Sequence, residues 1–169
     1  QHGANWLNIK TRGDLQQRSI NVSQKIWLAL VPVAVIFLVA SYFATDLYAN
    51  YFKMPLFFVV ILITVAALFA TRFFIAKAQY FNAWFASALT IIGATFFGII
   101  GLFPRLFPSS IDKAYDLTAF NASSSPLTLK IMLGVVLVFI PIVIAYQIWS
   151  YHMFSGPVTQ EDLDLDEAY

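Results

Sequence analysis

Four uncharged apolar stretches fix the medium in which this chain folds. They run from Ile26 to Thr45, Met54 to Thr71, Ala78 to Pro104 and Ile131 to Tyr151, each near or above the roughly 20 residues a helix needs to cross the hydrocarbon of a bilayer. Backbone in lipid has no water to bond, so each stretch must close its own hydrogen bonds as a helix. With 60% hydrophobic and 11% charged residues and a mean hydropathy of +0.74, 169 residues are too apolar for a water-soluble domain. The expected fold class is all-α, a polytopic bundle of four transmembrane helices.

Basic residues set the orientation. Lys10, Arg12, Arg18, Lys25, Arg72 and Lys77 fall on one side if the N-terminal segment and the loop after the second span share it, leaving Lys53, Arg105, Lys113 and Lys130 opposite. This bias predicts that both ends of the chain face the cytoplasm. Trp27, Tyr80, Trp84 and Trp149 then mark the inner interface, and Tyr48 and Tyr51 the outer one.

Several chemistries are disfavoured by what the chain lacks. There is no cysteine, so disulfides and thiolate metal sites are excluded. A net charge of +1 with no dense basic cluster implies no nucleic-acid partner. The candidate axial ligands for a haem, His2, His152, Met54, Met132 and Met153, make a poor set, because single His and Met residues in bundles usually only pack. None of the four apolar stretches contains an ionisable acid or base of the kind that marks a proton relay. Hydroxyls at Ser41, Tyr42, Thr64, Ser87, Thr90, Thr95 and Tyr146 are expected mostly to satisfy helix carbonyls.

Residues 1–25 are expected to hold the end of a preceding helix and a cytoplasmic connector, turning at Gly13 before a short amphipathic stretch. Residues 26–154 form the bundle, with Pro32 and Pro141 as kink points. In the third helix Ala86, Thr90, Ala94 and Gly98 recur every fourth position beside Gly93 and Gly101, which predicts the tightest packing face. Residues 155–169 carry five carboxylates, between Glu161 and Glu167, and read as an acidic cytoplasmic tail.

The outer loop from Phe103 to Thr128, FPRLFPSSIDKAYDLTAFNASSSPLT, is the most specific segment. Pro104 and Pro108 turn the chain, Ser110 is expected to cap a short helix over Ile111–Leu117, and Ser125 before Pro126 is expected to cap the fourth span. Pro104, Pro108, Ser109, Ser110, Asn121, Ser124 and Ser125 either shape this loop or dock it on a partner. Lys10, Arg12 and Gly13 either bind a partner or anionic lipid, or simply supply positive charge and a turn.

This loop, together with PIVIAYQIWSYHMF (Pro141 to Phe154, including Tyr146 and Trp149) and the opening GANWLNIKTRGDLQQR (Gly3 to Arg18), resembles subunit II of the bacterial and archaeal cytochrome bd-type quinol oxidases. Lys10-Thr11-Arg12-Gly13, with Leu15 and Arg18 in step, matches a motif of that family. The resemblance covers nearly the whole chain but only about the C-terminal half of the family's eight-helix subunit. Since Gln1 is not an initiator Met, the chain is expected to be half of such a subunit.

The resemblance implies a non-haem subunit of a complex that oxidises quinol and reduces oxygen to water in a prokaryotic cytoplasmic membrane. It implies no catalytic, cofactor or metal residue here, two b-type haems and one d-type haem in subunit I, and quinol as substrate. Its implied partners are subunit I, the N-terminal half of subunit II, membrane lipids and small accessory subunits. Half of a secondary transporter, or a non-redox membrane scaffold, would share the composition; the loop and the Pro141–Phe154 segment favour the oxidase.

Overall fold

The computed structural model describes residues 1–154 and Gly156; the acidic segment from Thr159 to Tyr169 lies outside the described residues. The described residues form two compact units, Gln1–Phe103 and Pro104–Gly156. Four helices are long and apolar enough to span a membrane, Gly13–Ala44, Pro55–Ala76, Tyr80–Leu102 and Pro126–Met153.

The first unit opens with α1 (His2–Lys10), which ends where Thr11 turns its N–H and its hydroxyl back to the Leu7 carbonyl, at 3.0 and 2.7 Å. Gly13 follows at φ +65°, a left-handed position that suits a residue without Cβ. The short amphipathic connector expected beyond it is not a separate element. Nothing between Asp14 and Ile26 breaks a helix, and the exposed Asp14–Arg18 pair at 3.5 Å supports one, so α2 runs unbroken from Gly13 to Ala44. Pro32 lies inside it and deprives the Leu28 carbonyl of its usual donor.

After α2 come α3 (Ala49–Lys53), a single 3-10 turn at Pro55–Phe57, α4 (Phe58–Ala76) and α5 (Tyr80–Leu102). The α4–α5 hairpin is the most extensive contact of the unit. Within it a Cβ on Gly93 would collide with the Thr64 side chain; further along α5, one on Gly101 would lie 2.8 Å from the carbonyl oxygen of Leu47, in the turn after α2.

The face of α5 that is buried carries Ala83, Ala86, Ser87, Gly93, Phe97 and Gly101, which corrects the expectation for the four-residue stripe. Ala86 is buried, but Thr90 and Gly98 are half-buried and Ala94 is exposed. A parallel row of the same spacing, Gly93, Phe97 and Gly101, is the buried one. Thr90, Ala94 and Gly98 instead help line an apolar cleft of about 400 Å³ with Ala34 and Phe37 of α2 and Thr64 and Leu68 of α4.

At the other end of the hairpin, Tyr51 is fully buried, donates to the Phe97 carbonyl at 2.9 Å and sits among the rings of Tyr48, Phe57, Phe58 and Phe97. It is a core residue, not the interfacial anchor its position suggested. Asn50 Nδ2 donates to the carbonyls of Ile100 at 2.8 Å and of Phe103, where α5 runs out of intrahelical donors. Ser41, Thr64, Ser87, Thr90 and Thr95 each donate to a carbonyl three or four residues back, as expected of hydroxyls in spans.

The second unit starts with a small antiparallel ribbon, β1 (Arg105–Phe107) against β2 (Leu117–Thr118), with a register irregularity between Arg105 and Phe107. The helix expected over Ile111–Leu117 is absent. One 3-10 turn, Lys113–Tyr115, is capped by the Asp112 carboxylate, which accepts from the Ala114 N–H at 2.8 Å; Ser110 does not cap it. Asp side chains offer the backbone alternatives to helix, and here they win. The last helix, α6 (Pro126–Met153), contains Pro141 and is exposed along its length, with Ser150 half-exposed.

Candidate functional site

The Phe103–Thr128 loop is organised by Asp116, which is only 6% exposed. Its Oδ1 accepts the Ser109 N–H at 2.7 Å, and its Oδ2 lies 3.7 Å from Arg105 Nη1. A buried carboxylate must be paired and hydrogen-bonded, and this one ties the two arms of the ribbon to the turn between them. Asn121 extends the network, its Nδ2 donating to the Asp116 carbonyl at 2.9 Å while its Oδ1 accepts the Thr118 N–H at 2.6 Å. Ser109 Oγ accepts from the N–H groups of Ile111 and Asp112, and the Pro104 carbonyl accepts from Ala119.

Ser125 Oγ accepts the Thr128 N–H at 3.3 Å, with Pro126 at the first helical position, so the expected cap of α6 is present. Pro108, Ser110 and Ser124 stand exposed. So do large apolar groups: Phe107 is 70% exposed, Ile111 87% and Tyr115 69%. Asp116, Ser109 and Asn121 bond the loop's own backbone, while Phe107, Ile111 and Tyr115 face outward. An exposed apolar surface of this kind marks a contact surface or a membrane-facing one.

Lys10, Arg12 and Gly13 remain together by sequence at the α1–α2 junction. Lys10 Nζ lies 5.2 Å over the Trp6 ring, and Arg12 is exposed and donates to the Thr11 carbonyl at 3.2 Å. Behind them α1 is held by polar contacts that sequence reasoning missed. Asn5 and Ser23 are fully buried, and Ser23 donates to Asn5 Oδ1 at 2.6 Å. Ser19 donates to the Ala4 carbonyl at 2.9 Å, and His2 stacks on Trp84 with Nδ1 2.7 Å from Ser87 Oγ. Little in the sequence singled these residues out, since Ser19 and Ser23 stand among Gln16, Gln17, Arg18, Asn21 and Gln24. On α6, Pro141, Tyr146 and Trp149 are exposed, with the last two rings 6.1 Å apart.

Within the first unit the candidate haem ligands His2 and Met54 lie apart. His2 is bonded to Ser87 near the α4–α5 turn, whereas Met54 precedes the opposite end of α4; Met132, His152 and Met153 are exposed on α6. Among the described residues no three His, Asp or Glu side chains gather as a metal site would need.

The profile of the family described as cytochrome bd terminal oxidase subunit II matches residues 1–154. The chain is 36% identical over 167 residues to the cytochrome bd ubiquinol oxidase subunit 2 of Bacillus subtilis, covering 96% of this chain and 47% of that protein. It is 32% identical over 190 residues to the probable cytochrome oxidase subunit 2 of Haemophilus influenzae, covering 96% and 50%. Against the cytochrome bd-I ubiquinol oxidase subunit 2 of Escherichia coli K12 it is 37% identical over 82 residues, covering 48% and 22%. The chain thus spans about half the length, or less, of the curated relatives it matches. With four membrane-length helices and a family match along residues 1–154, the chain belongs to the cytochrome bd terminal oxidase subunit II family.

Proposed function

We propose that this chain serves as part of the non-haem subunit II of a quinol:oxygen oxidoreductase in a prokaryotic cytoplasmic membrane, with both ends cytoplasmic. The observation that carries the reading is the family match over residues 1–154. Two b-type haems and one d-type haem in subunit I supply the chemistry that oxidises quinol and reduces oxygen to water. This chain covers a flank of subunit I, keeps water from it with apolar helices, and completes the subunit with the family's other half. Lipids and small accessory subunits cover what remains.

Within that role the Phe103–Thr128 loop is the docking element. Its support is the exposed Phe107, Ile111 and Tyr115 beside the buried Asp116 that fixes the loop's path, together with the exposure of α6 along its length. Pro104, Pro108, Ser109, Ser110, Asn121, Ser124 and Ser125 hold its path, and Pro141, Tyr146 and Trp149 present the α6 face. Lys10, Arg12 and Gly13 pin the cytoplasmic junction.

The test is an affinity pull-down of this chain from its native membrane in mild detergent, read by a reduced-minus-oxidised spectrum and by quinol-driven oxygen uptake. Co-elution of a larger subunit with b- and d-type haem and oxidase activity is the expected result. A haem-free eluate from an intact complex overturns it.

A further inference from the structure

The apolar cleft between α2 and the α4–α5 hairpin is long and thin. Its volume is about 400 Å³, and along α5 its wall runs from Thr90 to Leu102, about 18 Å at 1.5 Å per residue. The mean cross-section is therefore roughly 20 Å², far less than a helix of about 10–12 Å diameter needs. Its chemistry is as narrow as its shape. Thr64 and Thr90 are the only hydroxyls in the lining, and they donate to the Val60 and Ala86 carbonyls at 2.6 and 3.0 Å. Every other lining side chain is hydrocarbon or absent, as at Gly98. A water chain or a polar headgroup would find no donor there and would forfeit the bonds it makes elsewhere.

Position in the membrane narrows the occupant further. The cleft takes up the half of the hairpin on the α3 side, from Ile61 to Leu68 on α4 and from Thr90 to the last residue of α5. Its depth is close to one leaflet of a hydrocarbon core about 30 Å thick. At the end away from α3, Trp27 Nε1 donates to the Leu68 carbonyl at 2.8 Å and the Trp27 ring meets Phe69 edge-on at 5.6 Å, closing α2 onto α4. We propose that one acyl chain of a phospholipid, from the leaflet on the α3 side, fills this cleft as a structural ligand and seats α2 on the hairpin. An unbranched run of methylenes matches the cross-section, whereas a polyisoprenoid tail carries a methyl branch on every fourth carbon and is too wide. Dispersion contacts with both walls then replace a void that close packing does not tolerate. Gly98 fits the same picture. Nothing stands within 4 Å of where its Cβ would lie, so no neighbouring helix claims the space in front of it. The inference rests on the membrane fold and not on the oxidase reading.

The test takes this chain from its native membrane together with its partners, and reads it by cryo-EM and by native mass spectrometry as detergent is raised until bulk lipid is gone. A single unbranched rod of density between α2 and Gly98, continuous with a headgroup on the α3 side, is the expected map. Gly98→Phe and Ala34→Phe fill the cleft from opposite walls, and each should lower the count of tightly retained phospholipids by one per copy of this chain. Gly98→Ala adds only a methyl group and should leave that count unchanged. Density branched at regular intervals, a protein segment in the cleft, or no density overturns the proposal, as does a retained count that neither phenylalanine variant changes. The wild-type map decides the matter even where a phenylalanine variant fails to assemble.

Discussion

Two residues show how narrowly single positions are constrained. Gly93 has no room for a methyl group, whereas nothing lies within 4 Å of where a Cβ on Gly98 would stand. Gly93→Ala is therefore expected to destabilise the bundle by about 1–3 kcal/mol through overpacking. Gly98→Ala, one turn and a half away, is expected to be neutral or to stabilise by up to about 1 kcal/mol; thermal melts of the purified complex in detergent separate the two. Tyr51 carries a second, chemical constraint. Burial, and then the neighbouring Tyr48, push its phenol from 10.0 up to about 12. The fold keeps a proton that the unfolded chain gives up, so this group's stabilisation is whole below pH about 10 and is lost as pH rises to about 12. Tyr51→Phe loses about 1 kcal/mol at neutral pH with the bond to Phe97. Its melting point should then fall less than that of the wild type between pH 9 and about 12.

Elements are shaped by side chains that compete with regular backbone bonding. Asp116 draws Ser109 and Arg105 together, and the segment that looked helical becomes a ribbon with a turn. Asp116→Ala is expected to unfold this loop locally, read as new protease sensitivity between Arg105 and Lys113. Ile111→Ser and Phe107→Ser leave that network intact and remove only exposed apolar groups. If the loop docks as proposed, they reduce recovery of the haem-bearing subunit in a pull-down without the protease sensitivity; unchanged recovery would refute docking. Ser125→Ala tests the smaller matter of the α6 cap and should cost about 1 kcal/mol.

At the scale of the whole molecule, each unit shows exposed apolar surface, α2 in the first and α6 in the second. The chain spans about half the length of its curated relatives, so its covering surfaces belong to other polypeptide or to lipid under the proposed role. Expressed alone in membranes, it is expected to be degraded faster than when co-expressed with the rest of the complex, as followed by pulse-chase. Equal lifetimes would show that lipid alone suffices to cover it.

The sequence by itself determined the four spans, the Ser125 cap, the Gly13 turn and the family, because hydropathy, chain-local hydrogen bonds and motif order are one-dimensional properties. Only the tertiary structure decided which face of α5 is tight, that Tyr51 is core, and that Asn5, Asn50 and Asp116 organise their surroundings. Each of those outcomes depends on partners at a distance along the chain: Asn50 reaches Ile100, Asn5 reaches Ser23 and Ala83, and Gly93 meets Thr64. A periodicity can nominate a helix face. Which neighbour that face meets is fixed only when the helices pack.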